Sequence, residues 1–203
     1  MFIKHFFIEA VNETNVYLIG CPVTKQAALV DAGGFESRVL DIIGRRRFNV
    51  GHILITHNHY DHTDGLEQYC QALPDAEVLA ATDRVNAPNV RQVEDGETLE
   101  MGTLNIKALM VPGHTGDSVA WHVSRPTRNV DGERLVAISA LFPGDILFAG
   151  SVGGTHSEGD QQSEVSGIKE KILSLPQHTA VFPGHGPATT VGVEKKANPF
   201  LID

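Results

Sequence analysis

The sequence predicts an α/β fold in which sheets are covered by helices, within a single domain spanning residues 1–203. Short apolar runs bounded by turn residues indicate strands, and they outnumber the segments that read as helices. The helical segments are interspersed among the strands, which favours helices packed on sheets over separate helical and strand domains. A composition of 41% apolar and 20% charged residues over 203 positions is that of an ordinary globular chain with a sizeable core.

Ten apolar runs predict the strands in chain order. They are residues 2–9, 15–20, 27–33, 52–56, 77–81, 104–111, 118–124, 134–142, 145–150 and 179–183. Helices are predicted over residues 35–47, from a cap at Thr63 or Asp64 to residue 72, over 164–175 and over 190–198. The Asp-Gly pair within residues 129–134 predicts a hairpin turn. The polar residues 82–98 carry no clear pattern.

Charge and cysteine content restrict the partners. A net charge of -9 argues against binding to a nucleic-acid backbone. The one basic cluster, Arg45 to Arg47, fits the last turn of a helix, where cations are favoured. Cys21 and Cys70 form no disulfide framework, and no apolar run approaches the ~18 residues of a membrane span. We therefore expect a cytoplasmic protein with no membrane partner, and no pattern predicts its oligomeric state.

The stretch THNHYDHTDG, residues 56–65, is crowded with side chains that bind metals. In an extended segment residues i and i+2 point the same way, so His57 and His59 can reach one ion. Asp61 and His62 lie where the chain turns toward a helix, and they can address a second point nearby. The buried strand that precedes them would hold these side chains rigidly.

A second pattern recurs three times: an apolar strand, then Pro-Gly, then a potential ligand. It places His114, Asp145 and His185 at the ends of strands. Proline has no N–H and should end the strand, while glycine allows a tight turn toward a crowded point. These three residues would therefore meet the histidines of residues 56–65 at one site.

Together these patterns supply five imidazoles and two carboxylates, which suit Zn, Fe(II) or Mn. The set is too rich for one tetrahedral site, but it fills two sites if Asp145 bridges the ions. Two ions ~3.5–4 Å apart form a clamp for hydrolysis, and they lower the pKa of a bridging water to ~7. The resulting hydroxide would attack a carbonyl without a serine or cysteine nucleophile.

THNHYDH resembles the HxHxDH signature of the metallo-β-lactamase superfamily, and residues 142–153 and 182–201 resemble the short glyoxalase II branch. The resemblance covers essentially the whole chain. It implies an αββα four-layer sandwich and hydrolysis of S-acyl thioesters, such as hydroxyacylglutathione, by two Zn or Fe ions or a mixture. It also implies the ligands: His57, His59 and His114 for metal 1, Asp61, His62 and His185 for metal 2, and Asp145 as the bridge. Asp61 and Asp145 would be the catalytic carboxylates.

The chain departs from that branch near the expected substrate site. Gly154 stands where the branch commonly has Arg or Lys, and it is followed by Thr155 and His156. His156 is the candidate substrate contact, whereas Trp121 and Phe148 are expected in the core. Larger glyoxalase II enzymes carry a C-terminal helical domain that helps hold glutathione, and this chain is expected to lack it.

Three other functions stay open at this stage. A persulfide dioxygenase would use one Fe(II), held by His57, His114 and either His59 or Asp145, with positions open for O₂. A lactonase or β-lactamase would share the fold, and a non-enzymatic metal-binding module would need only four closed ligands. Because His185 favours a filled second site, the sequence favours hydrolysis of a small acyl-thiol substrate.

Overall fold

A computed structural model describes residues 1–125 and 138–202. The strands, in chain order, are β1 Phe2–Ile8, β2 Thr14–Gly20, β3 Gln26–Val30, β4 Asn49–Leu54, β5 Glu77–Ala80, β6 Val90–Gln92, β7 Thr98–Met101, β8 Leu104–Met110, β9 Val119–Ser124, β10 Ser139–Gly144, β11 Leu147–Phe148, β12 Ser151–Val152, β13 Ala180–Pro183 and β14 Thr189–Thr190. The helices are α1 Ser37–Arg46, α2 Tyr60–Thr63, α3 Leu66–Ala72, α4 Glu158–Gly167, a π-helical turn Ile168–Ile172 that continues α4, and α5 Val191–Ala197.

Twelve of these strands form two six-stranded sheets. The first has the order β1-β2-β3-β4-β5-β6 and the second β14-β13-β10-β9-β8-β7, while β11 and β12 pair separately. The strands from β3 to β6 run parallel, as do β10 and β13. Both sheets are therefore mixed, as their remaining pairs are antiparallel.

Alternation along each strand explains why the sheets stack. In β2, Val16 and Leu18 face the core beneath α1 and α3, whereas Tyr17 and Ile19 face the second sheet. Successive side chains of a strand point to opposite faces, so a strand buried on both faces reads as continuously apolar. A third core lies between the second sheet and the helices α4 and α5. The result is the predicted αββα sandwich.

The topology gathers strand ends at one edge of the sandwich. β4 is followed directly by the histidine-rich segment, and the ends of β10 and β13 lie side by side, with Gly144 opposite Pro183. A bridge between Thr14 and His185 joins the two sheets at this edge. Carboxyl ends of parallel strands meet at one edge, which is where α/β folds place their sites.

Several local predictions were wrong. Helix α3 begins after Gly65 without a side-chain cap, and Asp64 instead ends α2. The reason is steric: a Cβ at Gly65 would collide with the backbone of Gly34 and Phe35, so this close crossing sets the boundary. Proline does not end β10, which continues to Gly144.

Other differences concern boundaries and omissions. Strands β6 and β7 were not predicted, and α4 starts at Glu158 rather than at residue 164. The predicted strand over residues 145–150 is reduced to β11. The predicted hairpin turn at residues 129–134 lies outside the described residues. Within the described ranges, no helix is long and apolar enough to cross a membrane.

Candidate metal centre

The edge described above brings together all seven side chains that the sequence singled out as metal ligands. They form three overlapping groups of three, and within each group the potential ligand atoms all lie within 4.8 Å of one another. The first group is His57, His59 and His114, the second is Asp61, His62 and His185, and the group of His57, His62 and Asp145 links these two. Side chains far apart in the sequence thus share one small volume.

The first group consists of three imidazoles. His57 Nε2 lies 2.9 Å from His59 Nδ1, and His114 Nε2 lies 3.1 Å from the same nitrogen. Tetrahedral zinc with Zn–N distances of about 2.0–2.1 Å holds its ligand atoms roughly 3.3 Å apart. The spacing of the three nitrogens therefore fits a single divalent ion.

The Asp145 carboxylate lies between the first group and the second. Its Oδ1 is 3.3 Å from His62 Nε2, and its Oδ2 is 3.7 Å from His114 Nε2 and 3.4 Å from His185 Nε2. His185 Nε2 is also 3.3 Å from Asp61 Oδ2. A carboxylate in this position can offer one oxygen to each of two ions.

Hydrogen bonds on the far side of the rings set the imidazole tautomers. His62 Nδ1 donates to Asp31 Oδ2 at 2.8 Å, and His114 Nδ1 donates to the Gly154 carbonyl at 2.8 Å. Each contact places a proton on Nδ1, so Nε2 is the atom that faces the site and can bind a metal once it is unprotonated. Outer partners of this kind are typical of metal-binding histidines.

Asp31 is a functional residue that the sequence reasoning missed. It follows β3 with a φ of 59°, a left-handed conformation that aspartate tolerates. Its carboxylate accepts hydrogen bonds from the Thr56 amide at 2.8 Å, the Thr56 hydroxyl at 2.9 Å and His62. The Thr56 hydroxyl in turn lies 3.1 Å from His57 Nδ1. The available signal was a carboxylate at the end of a buried strand.

The loop between β1 and β2 was also missed. Asn12 Nδ2 donates to Asp61 Oδ2 at 2.6 Å, and the Glu13 carbonyl accepts from His185 Nδ1 at 3.3 Å. Asn12 and Glu13 have φ values of 51° and 56°. A loop from the first sheet thus orients ligands of the second group, a contact that no local sequence pattern reveals.

Buried polar atoms show that the site suits a cation. His62 Nε2 and Asp145 Oδ1 are buried, and neither has a hydrogen-bond partner in the described part of the chain. Such atoms are costly unless something binds them. A Cβ at Gly184 would collide with Asp145 Oδ1 and lie 2.6 Å from His62 Cε1, so glycine keeps this space open. The donor set therefore fits divalent metal ions.

Burial and neighbouring charges shift the pKa values strongly in the metal-free chain. Burial lowers the pKa of His57 to about 2, which keeps this ring neutral. Burial also lowers the pKa of His62, but Asp31 and Asp145 outweigh it and raise that pKa to about 10. Burial opposes the charge of Asp145, yet His185 and His62 hold its pKa well below the usual range. A bound cation would replace the proton on His62, so binding should release protons.

The remaining predicted residues surround this centre. His156 is exposed and lines a cavity of about 470 Å³ with Gly154 and Thr155, next to the site but outside the ligand groups. Trp121 is fully buried, as predicted. Phe148 is only half-buried, and its ring centroid lies 6.4 Å from that of His185, so it borders the site.

Comparison with known proteins identifies the family. The family profile described as metallo-beta-lactamase superfamily matches residues 10–127. A hydroxyacylglutathione hydrolase, GloC, from Haemophilus influenzae is 30% identical over 199 residues, covering 87% of this chain and 88% of the relative. A probable hydroxyacylglutathione hydrolase from Schizosaccharomyces pombe is 32% identical over 174 residues, covering 83% of this chain but only 62% of the relative.

Solved structures agree with this grouping. ETHE1 from Myxococcus xanthus superposes with a TM-score of 0.79 at 27% identity, covering 98% of this chain and 84% of that protein. The protein TTHA1623, solved in a di-iron-bound form, gives a TM-score of 0.72 at 28% identity. The superposition covers 98% of this chain and 100% of that protein. With the profile match, the shared fold and the clustered histidines and aspartates, we conclude that this chain belongs to the metallo-β-lactamase superfamily.

Proposed function

We propose that this superfamily metallohydrolase is a thioesterase of the glyoxalase II kind, which hydrolyses small S-acyl thiols with two divalent ions, Zn or Fe or a mixture. The observation that carries the proposal is the position of Asp145, within 3.3–3.7 Å of ligand nitrogens from both groups. Hydroxyacylglutathione hydrolases among the relatives support the same reaction. The di-iron form of TTHA1623 supports the dinuclear reading.

In this proposal His57, His59 and His114 would hold one ion. Asp61, His62 and His185 would hold a second ion, and Asp145 is placed to serve both. Two such ions would supply Lewis acidity for the acyl carbonyl and lower the pKa of an attacking water to ~7.

The protein's own groups orient the ligands and move the protons. Asp31 and the Gly154 carbonyl fix His62 and His114 by accepting their Nδ1–H protons. Asp61, fixed by Asn12 at 2.6 Å, is the carboxylate placed to accept a proton from the attacking water. A thiol leaving group has a pKa of about 8.5, by analogy with cysteine, so it departs as a thiolate without a general acid.

A mononuclear persulfide dioxygenase is the competing assignment, because the first group of three histidines is complete by itself. The second group is equally complete, and two buried atoms at it, His62 Nε2 and Asp145 Oδ1, make no hydrogen bond in the described part of the chain. That arrangement favours two ions and hence hydrolysis. The likeness to ETHE1 does not favour either assignment.

A steady-state assay of metal-loaded protein tests the proposal. Lactoylglutathione and a simpler acyl thiol are compared with a persulfide followed by an oxygen electrode. We expect thioester turnover that falls more than about 100-fold in His57→Ala, His114→Ala and Asp145→Ala, since loss of outer-shell partners alone typically costs 10–100-fold. His52→Ala, on β4 and outside the site, serves as the control. Oxygen uptake on the persulfide without turnover of either thioester would refute the hydrolase assignment.

A further inference from the structure

A cavity of about 470 Å³ opens beside the first group of ligands. Its wall includes Gly153 and Gly154, which follow β12. The Gly154 carbonyl accepts the His114 Nδ1–H at 2.8 Å, and a Cβ at Gly153 would lie 2.9 Å from His114 Cβ. The cavity is therefore in direct contact with the ligand shell, on the side of His114.

The charge of this cavity is negative. Glu158, at the start of α4, lines it, and none of its lining residues, all of which are described, is lysine or arginine. The first turn of α4 carries two carboxylates, Glu158 and Asp160, so the positive N-terminus of this helix already faces negative charge. A carboxylate group entering this cavity would meet a like charge with no lysine or arginine to offset it, and the one ionisable base in the lining is His156.

The lining of the cavity also includes an aromatic ring. Phe200 is 44% exposed and lines the cavity. Its backbone amide donates to Asn198 Oδ1, and the buried Asn198 side chain donates to the Ser151 carbonyl and to Glu194. These hydrogen bonds therefore hold the backbone segment that carries the Phe200 ring. An aromatic ring and a carboxylate that line the same cavity favour ammonium groups.

We propose that this cavity receives the thiol half of the substrate, and that it selects thiols bearing an ammonium or neutral group over thiols bearing a carboxylate. This inference rests on the proposed thioesterase function. In the reaction a water oxygen bonds to the acyl carbon and the carbon–sulfur bond breaks. Sulfur leaves as a thiolate, the acyl group leaves as a carboxylic acid, and the other proton of the water passes to Asp61. Glu158 and Phe200 are specificity residues that contact only the departing half.

Three thioesters with the same acyl group test the selection. They are acetylthiocholine, S-acetyl-N-acetylcysteamine and S-acetyl-3-mercaptopropionate, whose thiol halves are cationic, neutral and anionic. We expect kcat/KM to fall in that order. Reversing the charge with Glu158→Lys should shift the cation-to-anion ratio about five- to tenfold toward the anion, and less at high salt. Phe200→Ala should reduce the preference for the cation.

The control is Glu100→Lys, which makes the same charge change at an exposed residue of β7. This strand forms one edge of the second sheet, and β14 forms the other. The control variant should leave the ratio unchanged. Choline itself, which lacks the sulfur, provides a readout independent of turnover: its saturation-transfer NMR signal should weaken in Glu158→Lys.

The outcomes separate the two proposals. Absence of turnover of all three esters by metal-loaded protein would refute the thioesterase function, and this inference with it. Turnover with a ratio that Glu158→Lys moves no more than Glu100→Lys would overturn the assignment of the cavity alone. A reversed order, with the anionic ester preferred by the unaltered protein, would overturn it as well.

Discussion

Asp31 shows how one residue outside the ligand set can organise both halves of the metal centre. Its carboxylate accepts protons from His62 and from Thr56, and the Thr56 hydroxyl contacts His57. It is 2% exposed, so these bonds lie in a dry environment where charge-assisted hydrogen bonds are strong. The clustering of the candidate ligands could be predicted because histidine and aspartate at metal-site spacing are rare by chance. Asp31 could not, since its partners are 25 and 31 residues away.

Replacing this carboxylate should weaken metal binding without removing a ligand. We expect Asp31→Asn to lower affinity for the ion at Asp61, His62 and His185 by about 10–100-fold, the range for outer-shell partners. The ion at His57 should be affected less, because its link to Asp31 passes through Thr56. Competition with a chelator measures both affinities, and Asp41→Asn on the exposed side of α1 is the control. Equal affinities in the two variants would show that Asp31 does not position His62.

At the scale of elements, long apolar strands were predictable and short edge strands were not. Strands such as β2 and β8 show continuous or alternating burial that the sequence carries locally. β6 and β7 lie at sheet edges and are largely polar, so only pairing with a neighbour makes them strands. The start of α4 was missed for a related reason, because its first turns are polar and mostly exposed.

Helix α4 carries a buried carboxyl group next to the metal centre. Glu164 is 0% exposed, and neither carboxylate oxygen has a hydrogen-bond partner among the described residues. It packs against Gly113, which precedes His114, and against Gly153. Burial raises the pKa of this carboxyl group to about 8. The helix thus places a neutral acid behind the loop that carries a ligand.

This raised pKa gives a stability prediction with a definite sign. Because the folded pKa lies above the ordinary value of 4.5, the folded chain holds this proton more tightly than the unfolded chain, so stability falls as pH rises from about 4.5 to about 8 and then levels off. Glu164→Gln removes that dependence. In the presence of a chelator, the unfolding free energy of Glu164→Gln minus that of the unaltered protein should increase by up to about 2 kcal/mol between pH 6 and pH 9.

Urea unfolding at several pH values measures the difference, with Glu100→Gln as the control. A difference between Glu164→Gln and the unaltered chain that stays constant across this range would show that Glu164 does not titrate in it.

At the scale of the whole molecule, the centre depends on how the two sheets meet. The end of β13 accepts hydrogen bonds from the first sheet. The Pro183 carbonyl accepts from Asn15 Nδ2 and from the Tyr17 hydroxyl, and the Gly184 carbonyl accepts from the backbone N–H of Asn15. These contacts place His185 close to the candidate metal ligands that follow β4. The sequence predicted the four layers only through a family resemblance, because local patterns do not reveal which sheets stack.

The central claim is that seven side chains form a dinuclear centre with Asp145 shared between the ions. The most direct test is the number of metal ions per chain, measured by mass spectrometry on protein purified without chelator. We expect two ions in the unaltered chain, loss of both in Asp145→Ala, and weakening mainly of one in His114→Ala. A fully loaded chain with a single ion, or an Asp145→Ala variant that loses only the ion lost in His114→Ala, would contradict the claim.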